Sequence, residues 1–259
     1  MANVRLPVAG IDVCVELPTG ADDLLLLEGG APDVALALSL LRRLVHRADG
    51  VSIDWSALAI TDVDVLLLRL RQRVLGDVVR AEVRCPAPDC GAPADIAFSI
   101  DGYIDHHRPH PPARLLPADA QGWFRFDGGD IQFRVPLAVD QLAIALDARP
   151  EQALVIRCVR PPTLPARARR RVEAAMEAIA PSLCSELRGA CPECGGIVTC
   201  TFDPLQYTLR ELRDQAAFVY DDVCTIAGHT HWSEAEILAL PTARRLRYAE
   251  WSSREREMA

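Results

Sequence analysis

An internal repeat is the feature of this sequence that most constrains its fold. Residues 10–42 align without gaps on residues 128–160, at a constant offset of 118 positions. Nine positions of this alignment are identical, and both copies keep the same alternation of apolar residues in their opening segment. Self-similarity at a fixed offset indicates repeated structural units. The sequence therefore predicts two related halves that begin with the same elements.

A second matching block follows the first in the same order. Residues 85–103 and 191–207 share two cysteines, the proline after the first cysteine and the glycine after the second. The block also shares two aromatic positions, Phe98/Phe202 and Tyr103/Tyr207. Chance rarely produces two matching blocks in the same order, so we interpret the sequence as an internal duplication.

Each half is predicted to contain the same succession of elements. Alternating apolar residues around a glycine-containing turn predict a β-hairpin at the start. Two short helices follow, at about residues 20–28 and 32–46 in the first half and about 138–147 and 150–160 in the second. A longer helix comes next, and Thr61 is its predicted N-cap in the first half. The cysteine pair then leads into an alternating strand.

The predicted fold class is α+β, in the form of an internally duplicated domain with a pseudo-twofold axis. Residues 208–259 have no counterpart in the first half, and apolar residues at three- and four-residue steps predict helices there. One helix is predicted to end at Gly228, the next to begin after Ser233 and the last to start at Thr242. The predicted boundaries are 1–105 for the first repeat, 106–120 for a linker rich in proline and histidine, 121–207 for the second repeat and 208–259 for a C-terminal helical extension.

Four cysteines have the spacing of metal ligands. Cys85 and Cys90 lie in RCPAPDCG, and Cys191 and Cys194 lie in ACPECGG. A tight turn that opens with Cys-Pro and closes with Cys-Gly directs two thiolates at one point, and a closed structural zinc site needs four ligands at about 2.3 Å. Neither half contains two further well-spaced ligands. We therefore predict one structural Zn²⁺ ion per chain in a zinc-ribbon-like site shared by both halves; two separate sites and four free thiols are the alternatives.

The other cysteines carry weaker signals. Four of them are interpreted as buried core thiols, two in strand patterns and two in apolar surroundings: Cys14, Cys200, Cys158 and Cys184. Cys224 with His229 and His231 is a second candidate metal set, but it lacks a fourth ligand.

Composition and motifs exclude several classes of function. The net charge of −8 argues against a general binder of nucleic acids or anionic membranes. The chain contains no lysine, which excludes Walker-type phosphate loops and Schiff-base chemistry. It also contains no G-x-S-x-G, H-E-x-x-H or glycine-rich nucleotide motif, so we predict no enzymatic activity. The sequence shows no secretory leader and no apolar stretch near the roughly 20 residues of a membrane span, and we expect a cytoplasmic protein without membrane contact.

The C-terminal sequence carries a family resemblance. The stretch HWSEAEILALPTARRLRY follows a C-P-x-C-G knuckle and the segment LRELRDQAAFVYDDVCTIAG. This pattern resembles the T4-type baseplate hub assembly proteins, which are encoded in contractile phage tails and in related extracellular contractile injection systems. The opening ELPTGADDLLLLEGG is similar to the start of the same proteins. The resemblance covers the N-terminal hairpin and helices and most of residues 185–250; members vary in whether they carry cysteines.

The resemblance implies a non-enzymatic assembly or adaptor role, as a chaperone or a structural component of the baseplate hub. The implied partners are baseplate, hub and spike proteins in the host cytoplasm or in the finished particle. Aromatic and arginine side chains dominate the energetics of interfaces, and we predict a partner-binding set at the C-terminus: Trp232, Arg244, Arg245, Arg247 and Tyr248. A zinc-ribbon adaptor that binds nucleic acid in transcription or translation, and an enzyme with a site between the halves, are the other two hypotheses.

Overall fold

The computed structural model describes residues 2–117, 119 and 122–258, and it shows a mixed helix-and-sheet fold. Within the linker and the start of the second repeat, residues 118, 120 and 121 lie outside the described residues. The first half contains, in chain order, β1 (Ala2–Arg5), β2 (Asp12–Val15), α1 (Gly20–Glu28), α2 (Val34–Leu44), β3 (Val45–Arg47), α3 (Ile60–Leu75), β4 (Val78–Arg84), β5 (Pro93–Ser99) and α4 (Ile100–His106).

The second half follows the same order of elements, preceded by one additional strand. It contains β6 (Leu115–Pro117), β7 (Phe124–Phe126), β8 (Gln132–Phe133), α5 (Ala138–Ile144), α6 (Pro150–Cys158), β9 (Val159–Arg160), α7 (Ala166–Ile179), β10 (Ser185–Ala190), β11 (Ile197–Phe202) and α8 (Pro204–Ala216). Three more helices end the chain: α9 (Val219–Thr230), α10 (Glu234–Leu238) and α11 (Thr242–Met258).

Each half has a small antiparallel sheet and a separate cysteine-bearing hairpin. The first sheet has the order β1-β2-β3, and the second has the order β6-β7-β8-β9. Strands β4 and β5 pair only with each other, as do β10 and β11. The predicted hairpins at the start of each half are therefore confirmed, and the cysteine pairs lie in the turns of two independent hairpins.

The two halves differ in the size of their hydrophobic cores. The first core combines valines of β1 and β2 with leucines of α2 and α3, and the α8 residues Leu209 and Leu212 complete it. The second core is smaller, and it is built around Phe133 on β8 and Val172 and Ile179 on α7. Although α8 is the last element of the second half in chain order, it packs on α1, α2 and α3 of the first half. The C-terminal region thus enlarges the first core and leaves the second without an equivalent cover.

The prediction that Thr61 is the N-cap of α3 is wrong. Helix α3 begins at Ile60, and Ala59 precedes it without a capping side chain. The Ile60 amide instead donates to the carbonyl of Pro136 (3.2 Å), so a backbone acceptor from the second half satisfies this free helix-end group. The hydroxyl of Thr61 donates to the carbonyl of Pro181 (2.9 Å), which also lies in the second half.

The predicted linker contributes to the second sheet. Strand β6 pairs with β7, with Leu116 opposite Arg125. The amide of His110 donates to the carbonyl of Ala178 (2.7 Å), which ties the preceding segment to the end of α7. Pairing satisfies backbone groups that the edge of β7 would otherwise leave open. Part of the segment 106–120 is therefore an element of the second half, not a solvated connection.

The C-terminal extension contains one more helix than predicted. The helix expected to run to Gly228 is divided after Ala216, and Gly228 lies inside α9. The division allows α8 to pack on the first core while α9 packs on α10 and α11. Helix α9 ends before His231, which has the left-handed φ of 61°. The predicted cap of α10 is confirmed, since Ser233 and the Glu236 side chain form a capping box.

Two pairs of helices meet at their first residues in the same way. The Gly20 amide donates to the Leu240 carbonyl (3.2 Å), and the Thr242 amide donates to the Pro18 carbonyl (3.0 Å). The start of α3 meets the start of α5 through the equivalent two hydrogen bonds, which involve the backbone of Leu58, Ile60, Pro136 and Ala138. Helix α11 therefore contacts the first half as α3 contacts the second.

Candidate metal centre and C-terminal surface

The two cysteine-bearing hairpins pack against each other. Strand β5 contacts β10, and β11 contacts β4. The Cys85 amide donates to the Ala92 carbonyl (2.9 Å) and the Cys191 amide donates to the Gly196 carbonyl (2.8 Å), which closes each turn above its strands. Both turns include a glycine with positive φ next to the second cysteine, Gly91 at 61° and Gly195 at 70°. The Cys-Gly pattern thus reflects a backbone conformation that side chains disfavour.

The four predicted ligands come together at one point. The sulfurs of Cys85, Cys90, Cys191 and Cys194 all lie within 4.8 Å of one another. Two of the separations join the hairpins: 3.6 Å from Cys85 to Cys194 and 3.7 Å from Cys90 to Cys191. A tetrahedron of sulfurs around an ion at about 2.3 Å has edges of about 3.8 Å. The cluster therefore has the size and the donor set for a single tetrahedral metal ion.

Backbone amides and neighbouring sulfurs both shift the pKa values of these thiols. The amides of Cys194 and Glu193 lower the pKa of the Cys191 thiol to about 7. The Ala87 amide lowers the pKa of the Cys85 thiol, but burial and the three neighbouring sulfurs outweigh it and raise that pKa to about 12. A cation that binds all four sulfurs removes the repulsion among thiolates, because coordination deprotonates a thiol.

A small apolar layer lies beneath the sulfurs. It contains Ala94 and Ile96 from the first hairpin and Val198 from the second, all buried. Gly189 faces the first hairpin at this contact, where a Cβ would lie at the ordinary van der Waals distance of 3.4 Å from Cγ1 of Ile96. Apart from the cysteine ligands, the layer is completed by partly buried side chains of small or medium size: Val83, Ala87, Ala92, Leu187 and Cys200. Such a contact is small for holding two hairpins together, which makes a bound ion the main candidate for that role.

Matched aromatic residues meet across the two hairpins. The rings of Phe98 and Phe202 are 5.0 Å apart in an edge-on arrangement. The hydroxyl of Tyr103, which follows the first hairpin, donates to the carbonyl of Leu183 just before the second. The hydroxyl of Tyr207, which follows the second hairpin, donates to the carbonyl of Arg80 in the first (3.0 Å). Each tyrosine thus contacts the opposite half.

The remaining cysteines divide into buried and exposed thiols. Cys14 and Cys158 are buried and Cys200 is half-buried, in line with core positions. Cys184 is exposed, so its predicted burial is wrong; it lies in the loop between α7 and β10, where local apolar sequence does not ensure cover. Among the described residues, the four-cysteine cluster is the one group that could hold a metal ion, and Cys224 is not part of such a group.

The predicted partner-binding residues occupy three different environments. Arg244 and Arg247 are exposed on α11, and Tyr248 beside them is half-buried. The ring of Trp232 packs edge-on against Tyr248, with centroids 5.2 Å apart. Trp251, which the sequence analysis missed, is 47% exposed. It lines a shallow surface cavity with the two arginines and the tyrosine.

Arg245 is the exception, and its predicted role at a partner surface is wrong. Its side chain is fully buried, and its guanidinium donates to Asp23 (2.6 Å) on α1 and to Asp222 (2.9 Å) on α9. The Asp23 carboxylate also accepts a hydrogen bond from Thr242 (2.8 Å). Arg245 therefore fixes α11 to α1 and α9. The neighbouring arginines look the same in the sequence, and only the positions of the two aspartates distinguish it.

Two cavities near the interface of the halves bear on the enzyme hypothesis. One of about 680 Å³ is lined by four arginines, and Asp105 is its only carboxylate. Another of about 410 Å³ is lined by Asp62, whose pKa burial raises. Both oxygens of Asp62 accept backbone hydrogen bonds, from Val8 (2.9 Å) and Ala9 (2.8 Å). Neither cavity brings two carboxylates together.

Comparison with known proteins gives no match: no family model, no curated protein and no solved structure is similar to this chain. None of the helices within residues 2–117, 119 and 122–258 combines the length and the apolarity that crossing a bilayer requires. The cysteine cluster, the C-terminal surface and the sequence resemblance are thus the observations that bear on function.

Proposed function

We propose that this protein is a non-enzymatic assembly or adaptor protein for the baseplate hub of a phage-tail-like contractile injection system. In this proposal a structural zinc ion fastens two related halves, and the C-terminal helices present a surface to a hub or spike protein. The observation that carries the structural part is the four-cysteine cluster between the hairpins. The particle itself is proposed from the resemblance of the C-terminal sequence.

Zinc suits the cluster because of its donors and its place in the fold. Tetrahedral sites with four sulfur ligands bind zinc or iron, and a closed zinc site has no open position for catalysis. Binding of structural zinc is worth on the order of 10 kcal/mol in apparent terms. Closing the loop of about a hundred residues between the knuckles costs less, since closure entropy rises only with the logarithm of loop length. One ion can therefore hold the two hairpins together.

We also infer that the halves arose by duplication of one unit. The element order recurs after a single added strand. Phe98 contacts its matched residue Phe202, and the matched tyrosines Tyr103 and Tyr207 each bond to the opposite half. Reciprocal contacts of this kind are expected around a pseudo-twofold axis, because each copy offers the other the same surface.

The C-terminal surface supports an adaptor role. Arg244, Arg247, Tyr248 and Trp251 form a contiguous exposed group on one helix. Trp, Tyr and Arg are the residue types that contribute most to protein interfaces. The buried ion pairs of Arg245 hold this helix in place, so the surface is presented on a fixed support.

Metal analysis of protein purified without a histidine tag tests the metal centre. We expect one zinc ion per chain, and loss of the metal in the variant Cys194→Ser. The matched control is Cys184→Ser, an exposed cysteine outside the cluster, which should retain the ion. Less than about half an equivalent of zinc per wild-type chain would refute the site, which predicts one full ion.

Complementation in a producing strain tests the adaptor role. A deletion of the gene should prevent assembly of intact particles, and the wild-type gene should restore it. The double variant Arg244→Glu/Arg247→Glu should fail to restore assembly, whereas Arg254→Glu, also exposed on α11, should succeed. Intact, fully loaded particles in the deletion strain would contradict the proposal. Binding of DNA or RNA that weakens steeply with salt would instead favour the nucleic-acid adaptor.

A further inference from the structure

Helix α8 fills a groove in the first half. It packs on α1, α2 and α3, and its buried residues Leu205, Leu209 and Leu212 belong to the first core. The groove beneath it is apolar, and Leu36 and Leu70 on its walls are 3% and 0% exposed. The first half therefore depends on an added amphipathic helix to cover α2 and α3.

The second half has the corresponding groove, between α6 and α7, but no helix of the described chain fills it. Leu154 and Val155 on α6 match Leu36 and Ala37 at the offset of 118, and Met176 occupies the position in α7 that Leu70 occupies in α3. Leu154, Val155 and Met176 are all partly exposed and line a cavity of about 250 Å³. Helices α8 to α11 make their main contacts with α1, α2, α3 and one another, so they are already engaged elsewhere.

The charged residues at the two grooves differ, and Arg169 lines the open groove together with Glu151 and Glu173. In the first half Arg71 on α3 donates to Glu211 on α8 (2.7 Å). The corresponding position in α7 is Glu177, which is exposed. Another exposed acid, Glu151, lines the open groove, while Glu173 is already paired with Arg169 (2.6 Å). A helix that fits this groove should therefore carry a basic residue where α8 carries Glu211.

We infer that the groove between α6 and α7 docks an amphipathic helix of a partner protein, with apolar residues spaced as in α8 and a basic residue facing Glu177. The inference rests on the proposed adaptor function. It adds a second partner contact, in the groove of the second half, to the one proposed for the C-terminal surface. Occupation of the groove would cover Leu154, Val155 and Met176 as α8 covers their counterparts. It would give the second half the closed core that the first half builds from its own chain.

A pair of stapled helical peptides tests this inference on the full-length, zinc-loaded protein. One peptide has the sequence of residues 204–216, and the other carries Glu211→Arg in that sequence. Fluorescence anisotropy should show that the arginine peptide binds the wild-type protein more tightly than the glutamate peptide. The variant Glu177→Arg should reverse this preference. An unchanged preference, or no binding of either peptide at about 1 mM, would overturn the inference.

Substitutions in the groove separate specific docking from non-specific binding. The variants Val155→Glu and Met176→Glu change partly exposed positions in the groove. Each should lower the affinity of the protein for the arginine peptide by about tenfold or more. Val51→Glu is the matched control, because Val51 is 54% exposed in the first half. Equal binding by all three variants would overturn the inference, provided that their zinc content and circular dichroism match the wild type.

Self-association and assembly assays identify other outcomes. If sedimentation shows a wild-type dimer that Val155→Glu converts to a monomer, the occupant is a second copy and the partner helix is refuted. The peptide results do not depend on the deletion strain. Intact particles after deletion would refute the adaptor function, whereas normal peptide binding by the groove variants would refute the groove alone.

Discussion

The two halves share an order of elements but differ in how fully they are closed. Ile156 on α6 is 61% exposed, whereas its matched residue Leu38 on α2 is 3% exposed. Leu142 on α5 and Leu146, which lies just after α5, are exposed as well. The difference arises because the C-terminal helices make their main contacts with the first half. Similar sequence patterns thus give a closed core in the first half and an open core in the second. The position of the C-terminal helices decides which core is covered.

The long helices α3 and α7 show the same contrast residue by residue. Helix α3 is surrounded, with Leu66, Leu67 and Leu68 fully buried. Helix α7 buries a single face, on which Val172 and Ile179 lie. Four arginines occupy its first turns, at positions that are exposed or half-exposed. Helix α7 is thus buried on one side only, whereas α3 is buried on most of its sides, because several elements pack around α3.

The largest expected effect comes from the metal ligands that join the halves. Cys191→Ser should abolish metal binding and lower the free energy of unfolding by an amount comparable with a domain's whole stability, since structural zinc contributes on the order of 10 kcal/mol. Hydrogen exchange followed by mass spectrometry should show faster exchange in both halves, and more so in the second, whose core is smaller. Cys184→Ser serves as the control. Exchange that accelerates in neither half would contradict the linking role of the site.

The next effect concerns the buried arginine that closes the first half. Arg245→Met should cost about 3–5 kcal/mol, because it leaves Asp23 and Asp222 buried without their cationic partner. Urea unfolding measures this loss, and Arg244→Met on the exposed side of α11 should change stability by less than about 0.5 kcal/mol. Similar midpoints for the two variants would show that the C-terminal helix is not fixed through Arg245.

Matched core substitutions test the difference in closure directly. Leu70→Ala in α3 should cost about 2–5 kcal/mol, because the cavity it leaves is enclosed by α8. Met176→Ala, at the corresponding position in α7, should cost below about 1 kcal/mol, since water already reaches that side chain. Both values come from denaturant titrations of the two variants. Equal losses of stability in Leu70→Ala and Met176→Ala would mean that the groove in the second half is closed in solution.

The smallest expected effect, per pH unit, is a pH dependence that arises at Asp64 on α3. Burial and the charge of Asp203 raise the pKa of Asp64 to about 8. Between its unfolded pKa and this value the folded state holds a proton that the unfolded state releases. Stability should therefore fall as pH rises from about 5 to 7, by at most about 1.4 kcal/mol per pH unit.

The variant Asp64→Asn should flatten this dependence, as measured by unfolding titrations across that pH range. Arg170→Gln, at the corresponding exposed position of α7, should leave it unchanged. An unchanged pH dependence in Asp64→Asn would show that the carboxylate is already charged in the folded protein.

Spacing and turn residues were sufficient to predict the local parts of the fold. Patterns within a few residues predicted the opening hairpins, the two short helices in each half and the cap at Ser233. The match between the halves predicted the meeting of the four cysteines. Thr61 was mispredicted because a backbone acceptor from the second half replaced the expected cap. The break after Ala216 was missed because the apolar pattern continues through it.

By itself, the sequence determined the order of the elements, the two cysteine turns and the meeting of their four thiols. Periodicity and glycine-containing turns are local, and the repeat links distant stretches. Tertiary structure alone decided which half the C-terminal helices cover, which of three neighbouring arginines is buried and which groove stays open. These outcomes depend on contacts between residues more than a hundred positions apart, such as Arg71 with Glu211 and Arg245 with Asp23. Surfaces that meet only after folding leave no periodic signal in the chain.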